Sequence, residues 1–521
     1  MDTLANISII PLAIGGIVVY VLGTCAYNFW FHPLRNIPGP WYAAISPAYI
    51  TFKDLTLQKP YAIHALLEQY GGIVRVAPNM VLFADHAAMK TAYTKFPKSM
   101  WYKAIKTNDN DHAMTTLEPI PHSIRKRAYA PHYTPANLIL YQNEIHEFTN
   151  DCIDKMRIYD GKRPFDCLVL FRRLLTDIIF ISSYGQRIQS VKQWDIINHT
   201  TDLASNIVTA VNLFPMRGVF LSIVGRPIFN LLNSLPFAII RPFFDSDKIV
   251  AEYVIRARDQ VLERDPSFKT TGELDSDGNG DERLSLVHRL LRQSLKAKPE
   301  ERLSDADVIS EAMAHTIAGV ETSSTTLTYM MYNLARYPTV LAKLREEIDP
   351  LMHGEDGRRQ IPDISVLNKL PYLNAFYMES MRLYGAVPSM LERVVPAVLD
   401  GEEFTIKGHK ITPGTIVATQ GFTVHRDPAV FPKPEEFIPE RWFNETEEMR
   451  AYWMPYGTGN RVCGGMNLAH MSLRILTVAL ARNFDIVIPA ETTEASMKMN
   501  FAFVAMPTAM AAPLLFKFRE D

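Results

Sequence analysis

Residues 304–338, SDADVISEAMAHTIAGVETSSTTLTYMMYNLARYP, constrain the fold more than any other stretch. Ser304 has the character of an N-cap, and Asp307 three residues on completes a capping box in its aspartate form. Nothing that stops a helix follows until Pro338. The pattern predicts about 33 helical residues, roughly 50 Å of helix. A helix of that length must run through a whole domain, so the rest of the body is arranged around it. Other helical patterns dominate, while β-like runs such as EEFTIKGHKI (Glu402 to Ile411) are short and set off by turns. The expected class is therefore mainly α with a smaller β region. No internal repeat and no convincing linker divides residues 41–521, which are expected to form one domain.

Composition removes several function classes. The 521 residues carry 54 basic and 56 acidic side chains, a net charge of −2, without the basic excess of a nucleic-acid binder. No nucleic-acid partner is expected. The four cysteines, Cys25, Cys152, Cys167 and Cys463, show no CxxC spacing. A disulfide framework or a zinc site is not expected, and a reducing compartment is the default. A hydrophobic fraction of 47% is ample for a large core.

The amino terminus reads ISIIPLAIGGIVVYVLGTCAY from Ile7 to Tyr27 without a charge. At 1.5 Å per residue this spans about 31 Å, enough for a bilayer core. With Asp2 as the only earlier charge, the segment lacks the basic start of a cleaved signal. It reads as an uncleaved anchor, with residues 1–29 forming a lumenal tail and single transmembrane helix. Arg35 and Lys53 follow it and no basic residue precedes it, which places the body in the cytosol. The Asn6-Ile7-Ser8 triplet lies too close to the membrane for glycosylation to be expected. HPLRNIPGP (His32 to Pro40) falls within a proline-stiffened hinge assigned to residues 30–40.

Two further stretches are ambiguous in sequence. Val211 to Phe244 is strongly apolar but interrupted by Pro215, Pro227, Pro236 and Pro242, too broken for a second span. It is read either as core or as a surface that dips into the membrane beside the anchor. Asp275, Asp277, Asn279 and Gly280 mimic the start of a calcium loop, but Leu286 stands at its twelfth position, where a glutamate is needed. A solvated loop is expected there.

MPYGTGNRVCGGMNLAHM, residues 454–471, places four glycines around Cys463. The apolar run from Met466 has helical spacing, so Cys463 lies just before a helix N-terminus, where unpaired N–H groups and the helix dipole favour a thiolate. Gly457 and Gly459 allow positive φ and a tight loop. Gly464 and Gly465 let something flat and bulky approach the backbone, and Arg461 offers that group a counter-charge. A thiolate, a flat ligand and an anionic substituent describe a haem with its propionates. The rivals are weaker. A cysteine nucleophile wants a nearby histidine, and His470 is two helical turns away. A phosphate loop needs Gly-Lys-Ser/Thr, and zinc needs three more ligands.

Tyr456, Gly459, Arg461, Cys463 and Gly465 resemble the haem signature of the cytochrome P-450 family, aromatic-x-x-Gly-x-Arg-x-Cys-x-Gly, with tyrosine where the family usually has phenylalanine. Glu379-Ser-Met-Arg382 resembles the family's Glu-x-x-Arg helix, and Pro439-Glu440-Arg441-Trp442 its Pro-Glu-Arg-Phe segment. Ala318-Gly319-Val320-Glu321-Thr322 resembles its oxygen-activation motif, and FHPLRNIPGPW the membrane-proximal hinge of fungal members. The HRDP segment, His425 to Pro428, is also familiar.

The resemblance implies the P-450 fold with an N-terminal transmembrane helix, and a microsomal, fungal type of haem-thiolate monooxygenase. Cys463 would ligate the iron of haem b (iron protoporphyrin IX). Arg461, Arg393 and, on the helix where the family often has Trp-x-x-x-Arg, His122 and Lys126 would meet the propionates. Glu379, Arg382 and Arg441 would form a structural network behind the haem loop. Thr322 would hold a proton-delivering water and Glu321 would feed it, while Gly319, which costs a helix about 1 kcal/mol relative to alanine, would leave room for O2. Electrons would come from NADPH–cytochrome P-450 reductase, with Arg125-Lys126-Arg127 as part of its docking face. The substrate would be a hydrophobic fungal metabolite and the location the endoplasmic reticulum membrane. A haem-thiolate isomerase or dehydratase that uses no external O2, and a non-catalytic haem-binding protein, are the alternatives.

Overall fold

The computed structural model describes residues 3–195, 203–236, 238–272, 283–397 and 403–520. The calcium-like positions Asp275 to Gly280 lie outside them. Two compact units are present: Met1–Ser99, Ser389–Asp427 and Thr458–Arg461 form the first, and the remaining segments the second.

The first unit begins with helix α1, Thr3–Ala26, continued by one π-helical turn over Tyr27–Phe31. Pro11–Phe31 is long and apolar enough to cross a membrane and buries none of its length in protein. The hinge after it is pinned from one side chain. Arg75 donates to the carbonyls of Asn28 at 3.1 Å and Pro78 at 2.7 Å, and its backbone N–H donates to Pro38 at 2.8 Å. A Cβ on Gly39 would lie 2.6 Å from the Arg75 carbonyl, so only glycine lets the hinge lie this close. Behind it is a four-stranded sheet in the order Ile73–Ala77, Met80–Phe83, Ile416–Ala418, Arg393–Val394. Val81 faces Val417 in the parallel pair, and Val417 faces Arg393 in the antiparallel pair that fixes Arg393. The β-like Glu402–Ile411 run forms, over its described part, a two-residue hairpin pair, Thr405–Ile406 with His409–Lys410. Helix α2, His86–Lys95, is capped by the Asp85 side chain and lies against the turn Gly459–Arg461.

The second unit is mainly helical. Its helices relevant here are α3 (Pro119–Tyr129), α4 (Cys167–Tyr184), α5 (Leu203–Asn233), α6 (Arg241–Arg264), α7 (Asp305–Arg336), α8 (Pro371–Tyr384) and α9 (Met466–Asn483). The Ser304–Asp307 capping box is formed in both directions, and α7 runs to Arg336. It packs along α4, α6, α8 and α9, so most of its surface is core. The β portion is small: Pro513–Phe518 between Phe165–Asp166 and Phe484–Val487, and the hairpin Met499–Ala502 with Val504–Pro507.

The prolines of Val211 to Phe244 do not break the chain as the sequence suggests. Helix α5 passes through Pro215 and bends only at Gly225, whose φ of 76° lets the helix restart with Pro227 in its first turn. Pro242 likewise sits in the first turn of α6. Half of Ser205–Asn233 is buried, including Val211, Phe214 and Phe229, while Ile228, Leu231 and Ile239 are exposed.

One buried carboxylate ties the second unit's loops to α8. Glu379 accepts from Arg382 Nε and Nη2 at 2.9 and 2.8 Å, from Arg441 Nε at 3.0 Å, from Trp442 Nε1 at 2.9 Å and from the Ile438 N–H at 2.9 Å. Arg382 and Arg441 spend their remaining donors on the carbonyls of Pro432, Lys433, Pro434 and Glu436. Glu379→Gln leaves two arginines there without their counter-charge, and breaking a buried network of this kind costs about 3–5 kcal/mol. Denaturant unfolding of the Glu379→Gln protein is expected to show a loss in that range. A loss below about 1 kcal/mol, the scale of a surface pair, contradicts this account of the network.

Candidate active site

Cys463 is placed by a loop with two left-handed glycines, Gly457 and Gly459, each at φ +71°. The Cys463 N–H donates to the Tyr456 carbonyl at 2.9 Å, closing the loop just before α9. Its sulfur accepts from the N–H groups of Gly465 and Met466, which pull the thiol's pKa down. Burial is the stronger influence and pushes it up. The thiol nevertheless retains accessible surface. The helix start alone therefore does not make Cys463 a thiolate, and a cation at the sulfur is needed to complete it.

Of the two glycines after Cys463, Gly464 serves a different purpose from the one the sequence suggests. A Cβ on Gly464 would lie 2.6 Å from the Tyr129 ring, so the flat group against it is a tyrosine of α3. Gly465 remains open, with Tyr133 at 4.0 Å as its nearest neighbour. Tyr129 and Tyr133 both contact His315 on α7, at ring-centroid distances of 4.6 and 5.2 Å, and the Tyr133 hydroxyl bonds His315 Nδ1 at 2.8 Å. This aromatic wedge joins the Cys463 loop to the long helix.

In its middle, α7 has one bare stripe in an otherwise buried surface. Ala318 is exposed, and Ala314, His315, Gly319 and Thr322 are half-buried, all within two turns and on one side of the helix. The Thr322 hydroxyl donates to the Ala318 carbonyl at 2.6 Å, leaving its oxygen lone pairs available on that stripe. Glu321 is turned into the interior, about 100° around the helix from Thr322. Both its oxygens are held by Arg172 of α4, at 2.8 and 2.7 Å, with the pair almost fully buried. A relay from Glu321 to Thr322 would need Glu321 to leave Arg172 first. Gly319 also has a packing reason that its motif does not show. A Cβ there would lie 2.5 Å from Ile179 Cδ1, so the glycine serves the close approach of α4.

The first unit gathers three cations. Lys98, in a bridge with Arg393, is buried, and burial together with the Arg393 and Arg461 charges pushes its amine well below the usual range. Arg393 is also buried, stacks on Tyr93 at 4.8 Å, and has an Nε with no hydrogen-bond partner among the described residues. Three basic side chains with an unsatisfied buried donor suit an anion, which would also restore the Lys98 charge. Sequence reasoning missed Lys98, which carries no motif.

On α3, His122 and Lys126 share a face one turn apart, and His122 Nδ1 bonds the Ala113 carbonyl at 3.0 Å. The arginines beside Lys126 are committed elsewhere, Arg125 to Asp307 and Glu311 and Arg127 to Glu301. Arg125 is therefore withdrawn from the docking face suggested for Arg125-Lys126-Arg127. The hydroxyl of Tyr456 has a partner, a short hydrogen bond with the Tyr377 hydroxyl of α8.

The family model for cytochrome P450 matches residues 47–512. The chain belongs to the cytochrome P450 family. Among curated proteins it is similar to cytochrome P450 monooxygenase BOT1 of Botryotinia fuckeliana, 27% identical over 466 residues that cover 88% of this chain and 86% of the relative. It is similar to the monooxygenase TRI4 of Fusarium sporotrichioides, 27% identical over 95% of this chain and 92% of the relative. The monooxygenase aflV of Aspergillus parasiticus is 27% identical over 96% and 94%. Within the second unit the residues fit the group that the family implies, a haem bound through a thiolate: the Cys463 sulfur faces two N–H donors, and the long helix carries a bare stripe at Thr322. Within the first unit, three basic side chains suit anionic substituents.

The Ile179 contact makes a test of Gly319 in this P450. Gly319→Ala is expected to cost about 1–3 kcal/mol by overpacking, and Ile179→Val, which removes the clashing Cδ1, is expected to recover most of it. Unfolding of the two single variants and the double variant measures the coupling. An equal loss from Gly319→Ala in both backgrounds contradicts the packing role.

Proposed function

We propose that this P450 is a membrane-anchored haem-thiolate monooxygenase that oxidises a lipophilic small molecule in fungal secondary metabolism. The observation that carries the reading is Cys463, whose sulfur faces the Gly465 and Met466 N–H groups within the signature loop. The fungal monooxygenases it resembles over nearly their whole length support the same reading. Haem b, when bound, supplies oxygen activation, with thiolate donation favouring O–O cleavage. Cys463 would hold the iron. Arg461, two residues before it in the chain, would meet the propionates with Arg393 and Lys98, and with Lys126 and His122 of α3.

Thr322 would hold a proton-carrying water through the lone pairs its Ala318 bond leaves over. Glu321 would reload that water after releasing Arg172. Glu379, Arg382 and Arg441 would hold the loop without touching the reacting atoms. The apolar α1 would anchor the protein by a single pass in the endoplasmic reticulum membrane, with the body cytosolic. The exposed Ile228, Leu231 and Ile239 suit a second contact with that membrane. NADPH–cytochrome P-450 reductase would supply the electrons.

Incubation of the reconstituted protein with that reductase, NADPH and O2 tests the reading. The wild type is expected to consume NADPH and O2. Thr322→Ala is expected to keep haem and consumption but to divert several-fold more electrons to peroxide. Absence of consumption in a protein that holds haem favours the isomerase, dehydratase or binding alternatives. Unchanged peroxide yield in Thr322→Ala removes Thr322 from the relay.

A further inference from the structure

Arg217 of α5 is a covered charge that makes no hydrogen bond among the described residues. Its side chain is 13% exposed, and its Nε is buried without an acceptor. The guanidinium lies over the rings of Phe214 and Phe229, at 5.9 and 5.2 Å from their centroids. Its ion-pair partner, Asp247 of α6, keeps Oδ2 4.0 Å from Nη2, beyond hydrogen-bond distance. Arg125 and Arg172, covered at least as well, are not left in this state. Arg125 donates to Asp307 and Glu311, and Arg172 grips both oxygens of Glu321.

The gap is held open from both sides. Asp247 is fixed by the backbone N–H of Asn108, which donates to Oδ1 at 3.1 Å. Asn108 and Asp109 have φ of 47° and 58°, a backbone that Asn and Asp tolerate better than other side chains. The same turn puts Asp109 on Arg226 of α5, 2.5 Å away. Gly218 brings α5 against this loop, since a Cβ there would lie 2.5 Å from Ile105 Cγ2. Burial raises the Asp247 pKa, and the Arg217 charge and the Asn108 N–H offset this only in part. Beside the pair, Phe229 belongs to a buried apolar cluster with Leu221 and Phe244.

We infer that Arg217 and Asp247 together bind the hydroxyl group of a lipophilic ligand, whose apolar body lies against the Phe229 cluster. An oxygen about 2.8 Å from both Nη2 and Oδ2 fits the 4.0 Å gap between them. A hydroxyl can accept from Arg217 and donate to Asp247 at once. A ketone or an ether can only accept, and a carboxylate would bring a second negative charge against Asp247. For what this ligand is, the inference rests on the proposed oxidation of a lipophilic molecule: the substrate would arrive already carrying a hydroxyl.

The test is the affinity of the purified holoenzyme for decyl alcohol and for decyl methyl ether, measured by equilibrium dialysis. The wild type is expected to hold the alcohol about tenfold more tightly than the ether. Arg217→Met, which keeps an apolar stem, is expected to weaken alcohol binding about tenfold. Should that variant fail to fold, Asp247→Leu provides the second reading, and is expected to bring the alcohol to within about twofold of the ether. Equal affinity for the two probes in the wild type, no binding of either, or unchanged alcohol affinity in folded Arg217→Met or Asp247→Leu protein overturns the inference. NADPH and O2 consumption without the preference for the alcohol sinks this inference alone. The preference without consumption sinks the monooxygenase reading alone, so the two failures are separable.

Discussion

The Glu379 carboxylate is the interaction on which the second unit's loops depend. It accepts five hydrogen bonds, from Arg382 twice, Arg441, Trp442 and the Ile438 N–H. Those donors come from one helix and one irregular segment that has little regular structure of its own. Both arginines use their other N–H groups on carbonyls of residues 432–436. A segment without a helical or sheet ladder thereby has its backbone acceptors satisfied. The same helix, α8, carries Tyr377, and so connects this network to Tyr456 in the Cys463 loop.

The long helix α7 divides its chemistry between two sides. Glu321 is fixed on Arg172 in the interior, while Thr322 stands on the bare stripe with its hydroxyl bonded back to Ala318. Adjacent residues on a helix point about 100° apart, so an acid and an alcohol side by side in sequence do not meet without movement. Proton delivery through this pair would therefore require Glu321 to leave Arg172 and rotate. The first unit has a different character: the charges of Arg393 and Arg461 both bear on the buried Lys98 amine. In the second unit, Arg474 is a cation whose hydrogen-bond partners are neutral. Binding energy from an anionic, thiolate-ligated group would be drawn from these prepaid electrostatic costs.

What was legible in the sequence is what local chemistry decides. The Ser304–Asp307 capping box, the helix after Met466 and the left-handed Gly457 and Gly459 follow from residues within a few positions of each other. The signature around Cys463 is of the same kind. What was misread or not visible depends on partners far away in the chain. Gly319 and Gly464 are glycines because Ile179 and Tyr129 press on them, and neither neighbour is visible from position 319 or 464. Helix α5 runs through Pro215 because its apolar residues are buried by the surrounding fold, which outweighs one missing backbone hydrogen bond. Lys98, Tyr377 and Arg474 belong to no motif, and only their placement gives them meaning.

The central claim is that Cys463 ligates haem iron as a thiolate. The ferrous–CO Soret band of the wild type and of Cys463→Ser, recorded on proteins carrying equal haem, tests it most directly. The account predicts a red-shifted band in the wild type and its loss in Cys463→Ser. Retention of that band without the Cys463 sulfur would contradict it.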